Sequence, residues 1–148
     1  MGVTAARFFS LLFAALALAP ALAHLLELPN KIGLSRDDYL IVQQIYRGWA
    51  LLGVVVLGAL TSTLILTILV RKRPGEFTLS LVAFLCIVGT QVVFWTFTFP
   101  ANQQTSNWTV LPENWETLRM QWEYSHAASA VLNLIAFIAL AFSVSKDK

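Results

Sequence analysis

Apolar residues fall in four blocks along the chain, at about 8–28, 49–70, 77–99 and 122–142, and polar residues collect between them. Each block is long enough to carry a helix across a hydrocarbon core, which takes about 20 residues. The pattern predicts an all-α protein, an integral membrane four-helix bundle occupying 1–148 as one domain. Turn signals separate the blocks. Leu28-Pro-Asn-Lys-Ile-Gly33 is expected to end the first helix, and Ser35 with Asp38 three residues on resembles a capping box opening the second. No proline occurs between 37 and 70, so the second helix is expected to run unbroken beyond the bilayer. Arg71-Lys-Arg-Pro-Gly75 makes a tight turn, and Phe99-Pro-Ala-Asn102 is expected to end the third helix. Pro20 is expected to bend the first helix below His24. Gly53, Gly58 and Ser62 predict close helix packing.

Composition agrees with the pattern. Of 148 residues, 57% are hydrophobic and 12% charged, and the mean hydropathy is +0.69. A soluble domain is about a quarter charged. Little chain remains for a soluble domain, and the single cysteine, Cys86, excludes an internal disulfide.

The charges then set an orientation. Arg7, Arg71, Lys72, Arg73, Lys146 and Lys148 stand against Glu76 and Asp147 on one side, six basic to two acidic. The other side has four basic residues, Lys31, Arg36, Arg47 and Arg119, and six acidic ones, including Glu27, Asp37, Asp38 and Glu123. The positive-inside rule places the basic side and both termini in the cytoplasm, in a multi-pass protein of the plasma or inner membrane. This asymmetry accounts for the pI near 8.9 without nucleic-acid binding. An alternative for the first block is a secretory signal cleaved after Ala21-Leu-Ala23, leaving His24 as the N-terminus. The apolar run continues past that site, which favours a retained first helix.

Candidate chemistry gathers where the fourth block opens. Arg119, Glu123, His126 and Asn133 share one helical face, and ionisable residues entering a span are costly enough to need a reason. His24 and Glu27 repeat the pairing on the first helix, and these are the only two histidines. Ser80, Phe84, Ile87, Gln91 and Trp95 fall on one face of the third helix. All five tryptophans lie toward the same end, as in an interfacial belt or a pocket for a flat apolar ligand.

The residues leave three readings open. In the first, His24, Glu27, Glu123 and His126 ligate a mononuclear metal (Zn, Fe or Mn). In the second, the site is cofactor-free: His126 removes a proton, Glu123 or Glu27 orients it, and Arg47 or Arg119 stabilises the resulting anion, with Gln91, Trp95, Asn102 and Trp122 lining the site. In the third, the same residues only hold the helices in register, as in a structural subunit or a carrier for a small apolar molecule. Four helices enclose little aqueous space, so a channel requires a homo-oligomer.

Three landmarks carry a family resemblance: Glu27-Leu-Pro29, Pro100-Ala-Asn102, and Trp115-x-x-Leu118-Arg119-x-x-Trp122-x-x-x-His126. With the four-span layout they resemble the anthrone oxygenase-like family of small membrane proteins, a domain-of-unknown-function family. The resemblance covers nearly the whole chain. It implies a cofactor-independent oxidation of anthrones to anthraquinones, with Glu27, Pro29, Asn102, Trp122 and His126 as the matching positions. Many relatives have an arginine three residues after the histidine, where this chain has Ser129. His24 matches nothing in the family pattern.

Overall fold

The computed structural model describes residues 2–145. Among these, helix is the only regular structure, and four helical segments are long and apolar enough to cross a membrane. Helix α1 (Val3–Lys31) is followed by a short α2 (Arg36–Gln43) and two 3-10 turns, Gln44–Tyr46 and Trp49–Leu52. Then come α3 (Gly53–Leu69), α4 (Pro74–Val93), a π-helical turn (Phe94–Thr98), α5 (Phe99–Gln104) and α6 (Trp115–Ser145). Helix α6 packs on α1 and α4, and α3 packs on the same two, which closes the bundle.

The packing explains why the sequence is so evenly apolar. Small residues fill the interior, with Ala6, Ala14, Ala59, Ala83, Ala136 and Ala139 around Leu66, Ile87 and Leu140. Large apolar side chains such as Phe8, Leu57, Leu85, Val92 and Phe142 point outward. Small residues inside let helix backbones approach closely where lipid, not water, is the surrounding solvent. Gly58 is the tightest point, since a Cβ there would lie 2.6 Å from the Phe13 ring. Gly53 has open space around it and makes no such contact.

At one end of the bundle, Arg7 Nη2 donates to Glu76 Oε2 at 2.5 Å and Arg73 Nη1 to Glu76 Oε1 at 3.3 Å. Ser143 Oγ donates to the Glu76 carbonyl at 3.4 Å. The starts of α1 and α4 and the end of α6 therefore meet at this end. Lys146, Asp147 and Lys148 of the charge count lie outside the described residues.

Three boundaries depart from the expected ones. Helix α1 continues through Pro29 to Lys31, and its last turn is closed by Ile32 N–H bonding the Leu28 carbonyl. A proline forfeits only its own N–H bond and crowds the preceding turn, and burial of Lys31 gives the extra turn a use. The second helix is not continuous: the break falls at Gly48, whose φ of 89° is a left-handed conformation that only glycine adopts at little cost. The third helix does not stop at Phe99. A π turn leads into Phe99, and the helix resumes through Pro100 to Gln104. The capping expectation holds, with Ser35 Oγ accepting from Asp38 N–H at 3.3 Å.

Candidate functional site

At the end of the bundle opposite Glu76, α1 and α6 bring their polar residues into contact. His24 and His126 lie face to face, ring centres 4.1 Å apart and planes within 24°. Trp122 meets both imidazoles edge-on, at 5.1 Å from His24 and 4.2 Å from His126. Tyr46 and Trp49 cover His24 from the broken segment between α2 and α3, at 4.5 and 5.5 Å. Gly48 sits between these two residues, so the left-handed break is what turns both rings onto the histidine. His24 Nδ1 is buried and has no hydrogen-bond partner, although the residue is only 5% exposed.

A charged cluster adjoins the imidazoles. Lys31 is the last residue of α1 and is 3% exposed. Its Nζ lies 3.0 Å from Glu123 Oε1 and 3.6 Å from Glu27 Oε2, and donates to the Tyr46 hydroxyl at 2.6 Å. The ammonium also faces the rings of Tyr46 and Trp122, at 4.4 and 4.9 Å from their centres. Tyr39 donates to Glu123 Oε1 at 2.9 Å, and Gln43 Nε2 donates to the Tyr39 oxygen. Tyr46 donates to Glu27 Oε2. Burial, reinforced by Glu123, raises the Tyr39 phenol far above its ordinary range. Burial and the hydrogen bond to Glu27 do the same for Tyr46. Both tyrosines therefore remain O–H donors at any physiological pH.

Asn102 closes the cluster from α5. Its Oδ1 accepts from the indoles of Trp122 at 2.8 Å and Trp108 at 3.2 Å. Trp108 reaches this position from a strained turn in which Ser106, Asn107 and Trp108 all have positive φ, at 48°, 56° and 60°. Such conformations cost non-glycine residues of order 1 kcal/mol each. Arg119 Nη1 donates to the Leu34 carbonyl at 2.8 Å and its guanidinium lies 4.5 Å from the Trp115 ring centre. It thus pins the turn after α1 to the start of α6.

Compared with protein families, curated proteins and solved structures, the chain matches none.

Of the residues expected at a site, His24, Glu27, Asn102, Arg119, Trp122, Glu123 and His126 do come together. Three others do not. Arg47 is exposed and bonds Gln44 Oε1 at 2.8 Å, since the break at Gly48 turns it away. Gln91 donates to Thr90 Oγ1 beside it on α4. Trp95 is 60% exposed and packs on Phe94 and Phe99. At 3.6 residues per turn Thr98 continues the buried Ser80 face while Trp95 lies at its margin, and Thr98 is buried and Trp95 exposed.

The four-ligand metal set does not assemble: among the described residues, no group of three or more His, Cys, Asp and Glu side chains is placed to hold a metal. Lys31 takes up the carboxylates of Glu27 and Glu123, and the two imidazoles face each other instead of a common point.

Sequence reasoning missed Lys31, Tyr39, Gln43, Tyr46 and Trp108. A signal for Lys31 was present. His24, Glu27 and Lys31 are spaced by three and four, one helical face, but Pro29 marked that stretch as a turn. No comparable signal marked the tyrosines, which arrive from a separate segment.

Proposed function

We propose that this chain is a multi-pass protein of the plasma or inner membrane, both termini cytoplasmic, whose His24–His126 end binds a flat apolar aromatic molecule and carries out acid–base chemistry on it. The observation that supports this most is His24 Nδ1, a buried polar atom left without a partner within an aromatic enclosure. Buried polar groups are nearly always paired, and leaving one unpaired costs about 1–3 kcal/mol. A ligand hydroxyl or carbonyl-derived oxygen would satisfy it, while the stacked imidazoles and Trp122 offer a surface for a flat ring. Tyr46 and Trp49 cover the site, so a ligand enters by moving them aside and is then covered by them.

The resemblance suggests the reaction. An anthrone loses a methylene proton to give an electron-rich carbanion, which reacts with dioxygen without a cofactor. Overall, anthrone and O2 give anthraquinone and water, the carbon being oxidised by two hydrogens lost and one oxygen gained. The protein need supply only binding and proton transfer. Position 129 is a serine, so the cationic charge near the substrate comes from Lys31 in this reading.

The test uses the purified protein in detergent. Wild type should accelerate oxygen uptake by anthrone and bind anthraquinone, read as quenching of tryptophan fluorescence. His126→Ala, with unchanged helix content, should lose both. If His126→Ala lowers only the thermal midpoint, the reading falls. A second reading, a structural clamp, is favoured by the full pairing of the Lys31 ammonium with Glu27, Glu123 and Tyr46; it predicts that second outcome.

A further inference from the structure

Glu123 is 1% exposed, yet its two carboxylate oxygens are treated very differently. Oε1 lies 3.0 Å from Lys31 Nζ and accepts from Tyr39 at 2.9 Å, while Oε2 is buried without any partner. A carboxylate has about four lone-pair sites over its two oxygens, and here those of one oxygen are left open. We infer that Glu123 Oε2 is the proton acceptor of this site, and that Lys31 and Tyr39 are positioning residues that hold the carboxylate with that oxygen free. The inference rests on the acid–base function proposed above and changes the assignment within it. His126 passes from base to part of the stacking surface.

Lys31 pairs with both carboxylates, Glu27 and Glu123, so a proton delivered to Glu123 leaves the ammonium paired with Glu27. Lys31 itself is a poor acceptor, being paired with both carboxylates and the Tyr46 hydroxyl. The Gln43 bond to the Tyr39 oxygen fixes the phenol so that its hydrogen points at Oε1. Glu123 can therefore rotate little, and Oε2 is presented in one direction.

The substrate class is that of the function proposed above: a flat apolar molecule with an acidic C–H conjugated through aromatic rings to a carbonyl. In the step, the C–H bond breaks, the proton forms a bond to Glu123 Oε2, and the electron pair moves into the ring system as an enolate. No electron acceptor is needed for this half of the reaction, so it can be followed without dioxygen.

The experiment measures deuterium exchange into the methylene of anthrone in anaerobic D2O, with full-length protein in detergent and anthraquinone binding as the companion measurement. Wild type should accelerate exchange. Glu123→Gln should lower the catalysed rate by about 100-fold or more and leave anthraquinone binding within about threefold. Tyr39→Phe should lower the maximal rate about tenfold, the scale of one hydrogen bond to a charged group, at an unchanged half-saturating concentration. A merely structural tyrosine would leave that rate alone. If wild type neither binds anthraquinone nor accelerates exchange, the site reading falls and takes the inference with it. If wild type binds without accelerating exchange, or Glu123→Gln retains exchange that His126→Ala loses, only the assignment of Glu123 falls. Should Glu123→Gln not fold, Tyr39→Phe decides: an unchanged maximal rate overturns the inference.

Discussion

Two buried carboxylates stand at opposite ends of this bundle, and their surroundings differ. Glu76 has both oxygens engaged, Oε2 by Arg7 and Oε1 by Arg73. Glu123 has a lysine and a tyrosine on Oε1 and nothing on Oε2. The Glu76 end is built from regular helix starts and a tight turn. The Glu123 end has a π turn, two 3-10 turns, a left-handed glycine and three left-handed non-glycine residues. The comparison separates a fastening from a candidate site. A closed charge network ties helices together, whereas a buried carboxylate oxygen left open carries a desolvation cost with no hydrogen bond to offset it.

The largest expected effect comes from opening the closed end. Glu76→Leu removes both arginine contacts at once, and breaking a buried pair by deleting one partner costs about 3–5 kcal/mol. The thermal midpoint in detergent should fall accordingly, with anthraquinone binding by the folded fraction unchanged. Arg7→Met combined with Glu76→Leu should recover most of the loss, because replacing a whole buried pair with apolar groups is often neutral. A Glu76→Leu protein as stable as wild type would erase the contrast between the two ends.

Lys31→Met probes the other end. It deprives Glu123 of its cation but leaves the Tyr39 donor, and an isolated carboxylate can neutralise itself by taking a proton. The stability cost should therefore be smaller, about 2 kcal/mol, while exchange into anthrone is lost. A stability loss matching that of Glu76→Leu, with exchange retained, would make Lys31 a second fastening.

The contrast between the ends also decides how much the sequence could reveal. Four apolar blocks gave the helices and their order, because lipid-facing and core-facing residues are alike hydrophobic over whole spans. The approach of Glu123 and His126 to His24 and Glu27 was legible from spacings of three and four. What was not legible came from irregular backbone. Periodicity gives no warning of the Gly48 break, which misplaced Arg47 and hid Tyr46. Pro29 was read as a stop, and so concealed Lys31, the cation nearest the candidate base.

Gly48→Ala tests that break directly. A Cβ at Gly48 would meet nothing within 4 Å, so the penalty is confined to the backbone at a φ of 89°. An L residue there costs about 1 kcal/mol. The loss should be modest in stability and larger in ligand binding, since Tyr46 and Trp49 depend on the turn to reach His24. Equal proportional losses in both would show that the break serves only to connect helices.

The smallest effect concerns pH. Tyr39 and Tyr46 lie between the spans, and burial with a neighbouring carboxylate raises both phenols above their ordinary value. A folded-state value raised above the unfolded one contributes stability that is fully present below the unfolded value of about 10. That contribution is lost as the pH rises further, because the unfolded chain releases protons that the folded one retains. Thermal midpoints should therefore be flat with respect to these two groups through neutral pH and decline above about pH 10. Tyr39→Phe should flatten part of the decline, while Arg7→Met at the other end should leave its slope untouched. A slope that follows Arg7 instead would place the alkaline weakness at the fastened end and take the tyrosines out of the comparison.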